Sequence, residues 1–202
     1  MDDREDFTKA WLYESPQNIG IIETYHALCF NIQDLKDWDI TPIDLGSGFR
    51  KIELETSAYY WHEENGIITI GVEFSKTHFN LIVHLLGKNP KYKGNPPYAI
   101  DLYKLALNDN HILGLMSDTR LSENGFNLWE RLFEEGYHVA VYSKEFPGKN
   151  FRPIRAKEEL KKYFGKDSSF EKYRFAISNR KMIGECHSQF NTRRYRELAG
   201  LL

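Results

Sequence analysis

Cysteine is nearly absent from this 202-residue chain. Cys29 and Cys186 stand far apart, with no Cys-x-x-Cys pair and no Cys/His ligand spacing, which excludes a disulfide framework and a structural zinc site. No metal site is expected. No apolar run approaches the roughly 18 residues that a membrane span requires. The acidic start MDDREDF is unlike the basic leader of an exported or imported chain. The expectation is a cytoplasmic protein with no membrane partner. The G-x-S-x-G elbow, H-E-x-x-H, the Walker phosphate loop and the G-x-G-x-x-G fingerprint are all missing, which argues against a serine hydrolase, a zinc protease, a nucleotide hydrolase and a dehydrogenase. Neither sign of charge dominates, since 27 Lys and Arg face 29 Asp and Glu for a net of −2.

That near-neutral total conceals a division. Residues 1–143 carry 12 Lys and Arg against 22 Asp and Glu, a net of −10, whereas residues 144–202 carry 15 against 7, a net of +8. Clustered cations make a local positive potential whatever the total, so the C-terminal part is a candidate for an anionic partner such as nucleic acid. It is equally a candidate for packing against the acidic body of its own chain. Aromatic residues interleave with the cations in Phe151-Arg152-Pro153-Ile154-Arg155, Tyr173-Arg174 and Arg193-Arg194-Tyr195-Arg196. That composition suits phosphate neutralisation with base stacking, and it suits a protein interface too.

Hydrophobic residues at 41%, with 14% aromatic, describe a folded chain long enough to bury a core. Residues 20–35 repeat apolar positions at helical spacing, with Tyr25, Leu28, Ile32 and Leu35 on one stripe. A loop containing Pro42, Gly46 and Gly48 follows, and then strand candidates at 49–54 and 57–62. Asn65-Gly66 is a strong hairpin signal, and it precedes two convincing strands, Ile67–Phe74 and Phe79–Leu86, expected to pair antiparallel. The stretch GKNPKYKGNPP places Pro96-Pro97 at the start of a helix Tyr98–Leu107. A strand at His111–Met116 comes next. Ser122 is read as the N-cap of helix Glu123–Glu135, Gly136 as the residue that ends it, and Tyr137–Tyr142 as a further strand. Beyond residue 143 the periodicity weakens, with a helix candidate at Ala156–Phe164, a strand at Tyr173–Ser178 and a terminal helix at Thr192–Leu201.

The order of elements across residues 67–142, strand, strand, Gly/Pro/Lys loop, helix, strand, helix, strand, resembles the core of the Gcn5-related N-acetyltransferases. Asn89-Pro90-Lys91-Tyr92-Lys93-Gly94-Asn95-Pro96-Pro97-Tyr98 looks like that family's approach to the helix that holds the pyrophosphate of acetyl-CoA, and Leu128–Leu132 with Gly136-Tyr137 resembles its next landmark. The resemblance implies an acyl-CoA cofactor such as acetyl-CoA, held at Lys91, Lys93, Gly94 and Asn95. It further implies that backbone groups at the ends of Phe79–Leu86 and His111–Met116 position the thioester while Glu73 deprotonates an amine. Where many members carry Gly or Ala in the loop, this chain has Pro96 and Tyr98, and where many carry a helix Tyr that protonates the thiolate, it has Trp129. Proline lacks the donor that such a loop supplies, and an indole N–H is too weak an acid for that role. Ser122-x-x-Gly125-x-x-x-Trp129-x-x-Leu132 also resembles small acetyltransferase-like proteins of tailed phages.

The expected architecture is therefore α/β, a mixed and largely antiparallel sheet of six or seven strands with helices on both faces. Residues 1–143 form the acetyltransferase-like body, and 144–202 a basic extension packed on it. Two functions stand beside each other: an acyl-CoA-dependent N-acyltransferase with an altered pyrophosphate loop, and a non-catalytic protein of the same fold that binds nucleic acid or a protein partner through its basic region. Trp129, in the stripe of Phe126 and Leu132, is expected in the core.

Overall fold

The computed structural model describes residues 21–77, 80–109, 112, 114–147 and 150–178. The expected terminal helix at Thr192–Leu201 and the cluster Arg193–Arg196 lie outside the described residues, as does Cys186.

Among the described residues nine strands form one sheet, more than the six or seven expected, and helices cover both faces. The described residues begin with α1 (Ile21–Asp37) and continue into four antiparallel ladders made by β1 (Ile43–Gly46), β2 (Phe49–Glu53), β3 (Ser57–Glu64), β4 (Ile67–Lys76) and β5 (Asn80–Lys88). β1 was expected to be loop. It pairs because Ser47-Gly48, both at positive φ (52° and 78°), make the same kind of tight turn that Asn65 and Gly66 (50° and 78°) make between β3 and β4. After β5 the chain crosses over through α2 (Ala99–Leu107) to β6 (Gly114–Met116), which lies parallel to β5. A crossover with a helix is the connection that parallel neighbours need. α3 (Glu123–Glu134), β7 (Val139–Tyr142), β8 (Phe151–Pro153), the short α4 (Lys157–Leu160) and β9 (Arg174–Ser178) complete the described elements.

The expected boundary at residue 143 does not end the sheet. β9 runs antiparallel between β6 and β7, and β8 forms the edge beyond β7, giving the order β1-β2-β3-β4-β5-β6-β9-β7-β8. β8 and β9 are thus woven into the sheet rather than laid on it, and Phe175 and Ile177 supply apolar side chains to the main core. Part of the positive charge of this segment is met by α3: Lys157 lies 2.6 Å from Glu134 and 3.8 Å from Glu130, and Lys166 lies 3.0 Å from Glu123.

Two cores flank the sheet. Alternate residues of β3 divide between them, Ala58 and Tyr60 facing α2 and α3, Tyr59 and Trp61 facing α1. The α2/α3 side is joined by neighbouring aromatic rings, Tyr60 to Phe74, Phe74 to Tyr103, Tyr103 to Trp129 and Trp129 to Phe175, at centroid distances from 5.8 to 6.3 Å. Trp129 is fully buried, as its position in the helix stripe implies. Ser122 caps α3, its Oγ accepting from Gly125 N at 3.1 Å, and Gly136 follows the helix at φ 85°.

β5 does not alternate throughout. Glu73 of β4 opposes Leu85 while Phe74 opposes Val83, so His84 is an extra residue with no partner. Such a bulge sends every later side chain to the opposite face. Leu81 and Val83 therefore join the α2/α3 core, whereas Leu85 joins Leu28 and Trp61 beneath α1. The same change of phase brings Gly87 under α1, where an added Cβ would lie 2.7 Å from the Cα of Tyr25. Gly71, opposite Gly87 in the ladder, meets Leu28 just as closely, at 2.6 Å. Two glycines side by side thus form the seat of the helix.

Candidate functional site

The parallel ladder between β5 and β6 is short. It consists of Asn80 opposite Gly114, Leu81 opposite Leu115 and Ile82 opposite Met116, and there it stops while β5 continues to Lys88. The reason lies in Ser117, whose backbone N–H donates to Phe175 O at 2.8 Å and whose buried Oγ accepts from Phe175 N at 2.9 Å. These bonds hold residue 117 to β9. Asp118 then accepts from Thr119 N at 2.6 Å, turning the chain toward the cap of α3. β5 and the chain after β6 diverge, and among the described residues no strand pairs with the edge of β5 that faces β6 from residue 83 onward. An unpaired strand edge in the middle of a sheet presents a row of backbone donors and acceptors. The bulge at His84 falls within it.

Glu73 stands beside this stretch, directly opposite Leu85. Its carboxylate accepts from Asn31 Nδ2 of α1 at 3.0 Å. Tyr59, on the neighbouring strand and also opposite Glu73, has its hydroxyl pushed up to about 12 by burial and then by the charge of Glu73. Strands are about 4.8 Å apart, so Glu73 lies two spacings, about 10 Å, from a chain laid along the open edge of β5.

The loop after β5 behaves differently. Asn89 is buried, donating from Nδ2 to the Tyr25 hydroxyl at 2.9 Å, and that hydroxyl donates to Ile68 O at 2.7 Å. Burial, followed by the neighbouring Cys29 thiol, pushes Tyr25 up to about 12. Pro90–Tyr92 form a single 3-10 turn in which Lys91 N donates to Asn89 Oδ1 at 3.0 Å. Tyr92 N donates to Asn89 O, Lys93 N to Pro90 O and Asn95 N to Tyr92 O. The Lys88 ammonium donates to Asn95 O and to Pro97 O, and it sits 4.9 Å from the centre of the Tyr98 ring. Desolvation holds the Lys88 ammonium below the usual lysine range, against the opposing pull of Asp101. Tyr98 OH closes the loop on Gly94 O at 3.1 Å. The peptide bond between Pro96 and Pro97 is cis.

α2 starts at Ala99, one residue later than the expected Tyr98. Tyr98 is its N-cap, and Asp101, in the first turn, accepts from Tyr98 N at 2.7 Å. A carboxylate thus occupies the end of the helix that attracts anions. Of the residues assigned by resemblance, Lys91, Lys93, Gly94 and Asn95 share this loop and are all exposed, Gly94 at φ 84°. Glu73 is not among them: it lies further back along the sheet, level with Leu85 and on the face that α1 covers.

A separate cleft of about 800 Å³ opens between α2 and the hairpin turns at 47–48 and 65–66, lined by Phe49, His62, Pro96, Pro97, Asp101 and Lys104 among others. None of the residues expected at the site lines it. Its one imidazole, His62, has Nδ1 2.8 Å from Thr69 Oγ1 and packs edge-on against Phe49. The open edge of β5 is the better candidate, because it combines free backbone groups with a nearby carboxylate. The bulge and the parting of β5 from the chain after β6, which make that edge, were missed in the sequence, whereas β6 ends at Met116 as expected. The one signal that could have found them is the change of phase between Leu81/Val83 and Leu85/Gly87, which simple alternation conceals.

The chain matches no family model and no curated protein. Among solved structures it is similar to the crystal structure of Tetrahymena GCN5, at 12% identity over 65% of this chain and 74% of that one, with a TM-score of 0.38. Among the described residues no helix is long and apolar enough to cross a membrane, and no three His, Cys, Asp or Glu side chains are grouped to hold a metal ion.

Proposed function

We propose that the chain is an N-acyltransferase that takes its acyl group from a pantetheine thioester, of which acetyl-CoA and other acyl-CoA molecules are the common form. The observation that carries this reading is the open edge of β5 from residue 83 to Lys88. A pantetheine arm is an extended chain with two amides, and extended amide-bearing chains add to free strand edges by backbone hydrogen bonding. Laid there, it brings its thioester toward the bulge at His84, where the phase of β5 changes and its backbone groups are unevenly spaced.

The reaction follows from simple polarity. An amine nitrogen attacks the thioester carbonyl, the C–S bond breaks and an amide forms. A backbone N–H of β5 steadies the oxygen as it gains charge. The amine proton passes to Glu73, through water because of the two strand spacings between them. The departing thiolate has an ordinary thiol pKa near 8.5, so it leaves without a protein acid and takes its proton from solvent or from Glu73. A buried Trp129 is no obstacle on this account. Titration calorimetry with acetyl-CoA tests the binding: heat at millimolar ligand is expected, and no heat from it or from any other pantetheine-bearing probe would rule the enzyme out. In the acyl-transfer assay Glu73→Gln lowers the rate by about 10²-fold or more with stability unchanged, since a glutamine oxygen still accepts from Asn31.

A second reading rests on the basic segment. Lys144, Arg152, Arg155, Lys161 and Lys162 are exposed, and among the described residues no carboxylate forms an ion pair with them. The Arg152 guanidinium lies 4.1 Å from the centre of the Phe146 ring. Such a surface suits a nucleic acid or an acidic protein partner, with or without catalysis at β5. Binding to RNA or DNA that does not weaken as salt rises would exclude these cations as its cause.

A further inference from the structure

We propose that the natural acyl donor of this site is carried on a protein: a thioester on the phosphopantetheine arm of an acidic carrier protein, rather than one attached to a nucleotide diphosphate. The inference rests on the acyltransferase reading above and narrows its substrate class.

A diphosphate at the end of a strand and the start of a helix is held by backbone N–H groups. In this loop most of those groups are engaged or missing, and only Gly94, Ala99 and Ile100 keep an N–H with no acceptor among the described contacts. Lys91, Tyr92, Lys93 and Asn95 donate within the loop, Tyr98 donates to Asp101, and Pro90, Pro96 and Pro97 have no N–H to offer. The Asp101 carboxylate stands at the N-terminus of α2, where a diphosphate would otherwise sit, and repels a second anion. Lys88, the cation nearest the end of β5, is turned inward onto the carbonyls of Asn95 and Pro97 and the ring of Tyr98. The loop therefore offers a diphosphate few donors and a facing carboxylate, while the strand edge that would take the pantetheine amides is open.

What remains outside is a pair of exposed cations, Lys91 and Lys93, at the mouth of that edge. Among the described residues neither forms an ion pair. Two exposed ammonium groups suit a single phosphodiester and the carboxylates of an acidic protein surface, which steer and orient a partner without deep burial. The arm would enter along β5 with its carrier resting on the loop at 91–95.

The test compares three probes on the full chain by titration calorimetry: phosphopantetheine, coenzyme A, and a holo acyl carrier protein bearing the arm, with its apo form as control. Coenzyme A is expected to bind within about threefold of phosphopantetheine. The holo carrier is expected to bind at least tenfold tighter than either, and the apo carrier at least tenfold weaker than the holo form. Changing both exposed lysines, Lys91→Glu with Lys93→Glu, is expected to erase the advantage of the holo carrier over free phosphopantetheine. Far-UV circular dichroism verifies that the variant is folded. Coenzyme A binding tenfold tighter than phosphopantetheine, a carrier no tighter than the free arm, or an advantage that survives in the lysine variant each overturns the carrier assignment while leaving the acyltransferase reading standing. If none of the three probes binds, the acyltransferase reading itself falls and the carrier assignment with it.

Discussion

The two halves of the sheet are built in different ways. From β1 to β5 every strand pairs with its neighbour in sequence through a tight hairpin or short link. From β6 to β9 the pairing is out of order, with the last described strand inserted between β6 and β7. The halves meet in three residue pairs, and there the sheet opens. A sheet held by local ladders on one side and closed by a late strand on the other need not zip along its middle, because Ser117 can satisfy its groups on β9 instead of β5. The candidate site is a product of that seam.

The largest expected effect comes from cutting the tie between the halves below the seam. Trp129 touches Tyr103 of α2 and Phe175 of β9, so Trp129→Ala should cost about 3–5 kcal/mol. Urea unfolding followed by separate probes in each half would show whether they still melt together. A single coincident transition with the wild-type midpoint would contradict this account of the core.

A change confined to the first half should cost less. Gly87→Ala places a methyl against the backbone of Tyr25, which cannot rotate away, so α1 must lift at a cost of about 1–3 kcal/mol. Because Tyr25 also anchors Asn89, hydrogen exchange should quicken in the 89–98 loop as well as in α1. Unchanged exchange in the loop would separate the two. Smaller still is the loss of the α3 cap in the second half: Ser122→Ala removes the acceptor for Gly125 N, and about 1 kcal/mol with it, read from the urea midpoint.

The smallest effect is alkaline. Tyr25 and Tyr59 both lie at about 12, above the ordinary 10, Tyr25 through burial and then Cys29, Tyr59 through burial and then Glu73. A folded-state pKa above the unfolded one means that their contribution is complete below pH 10 and disappears as pH rises through 12. Stability should therefore fall between pH 10 and 12, with faster exchange under α1. Tyr25→Phe should flatten that fall, and a variant with the wild-type pH profile would remove Tyr25 from it.

Most of the first half is legible in the residues. The stripe of Tyr25, Leu28, Ile32 and Leu35 makes α1 and Asn65-Gly66 makes its turn, as in the second half Ser122 and Gly136 bound α3, because each of these signals is local and acts through a few neighbouring backbone angles. β1 was hidden by Pro42, Gly46 and Gly48, read as loop although Ser47-Gly48 folds a hairpin. Glu73 was legible as a carboxylate on a central strand, and its bond to Asn31 was not, since 42 residues separate them. The 89–98 loop was legible as a loop, while its closure by Lys88 and Asp101 was not.

The sequence by itself determined the class of the protein, an α/β chain with helices on both sides of a mixed sheet, because periodicity and turn chemistry are properties of short stretches. Only the tertiary structure decided where β9 goes, that β5 and the chain part after the pair Ile82 and Met116, and that His84 stands outside the ladder. Those depend on which distant backbone groups find one another, and a strand edge is open or closed only relative to a neighbour that the local sequence does not name.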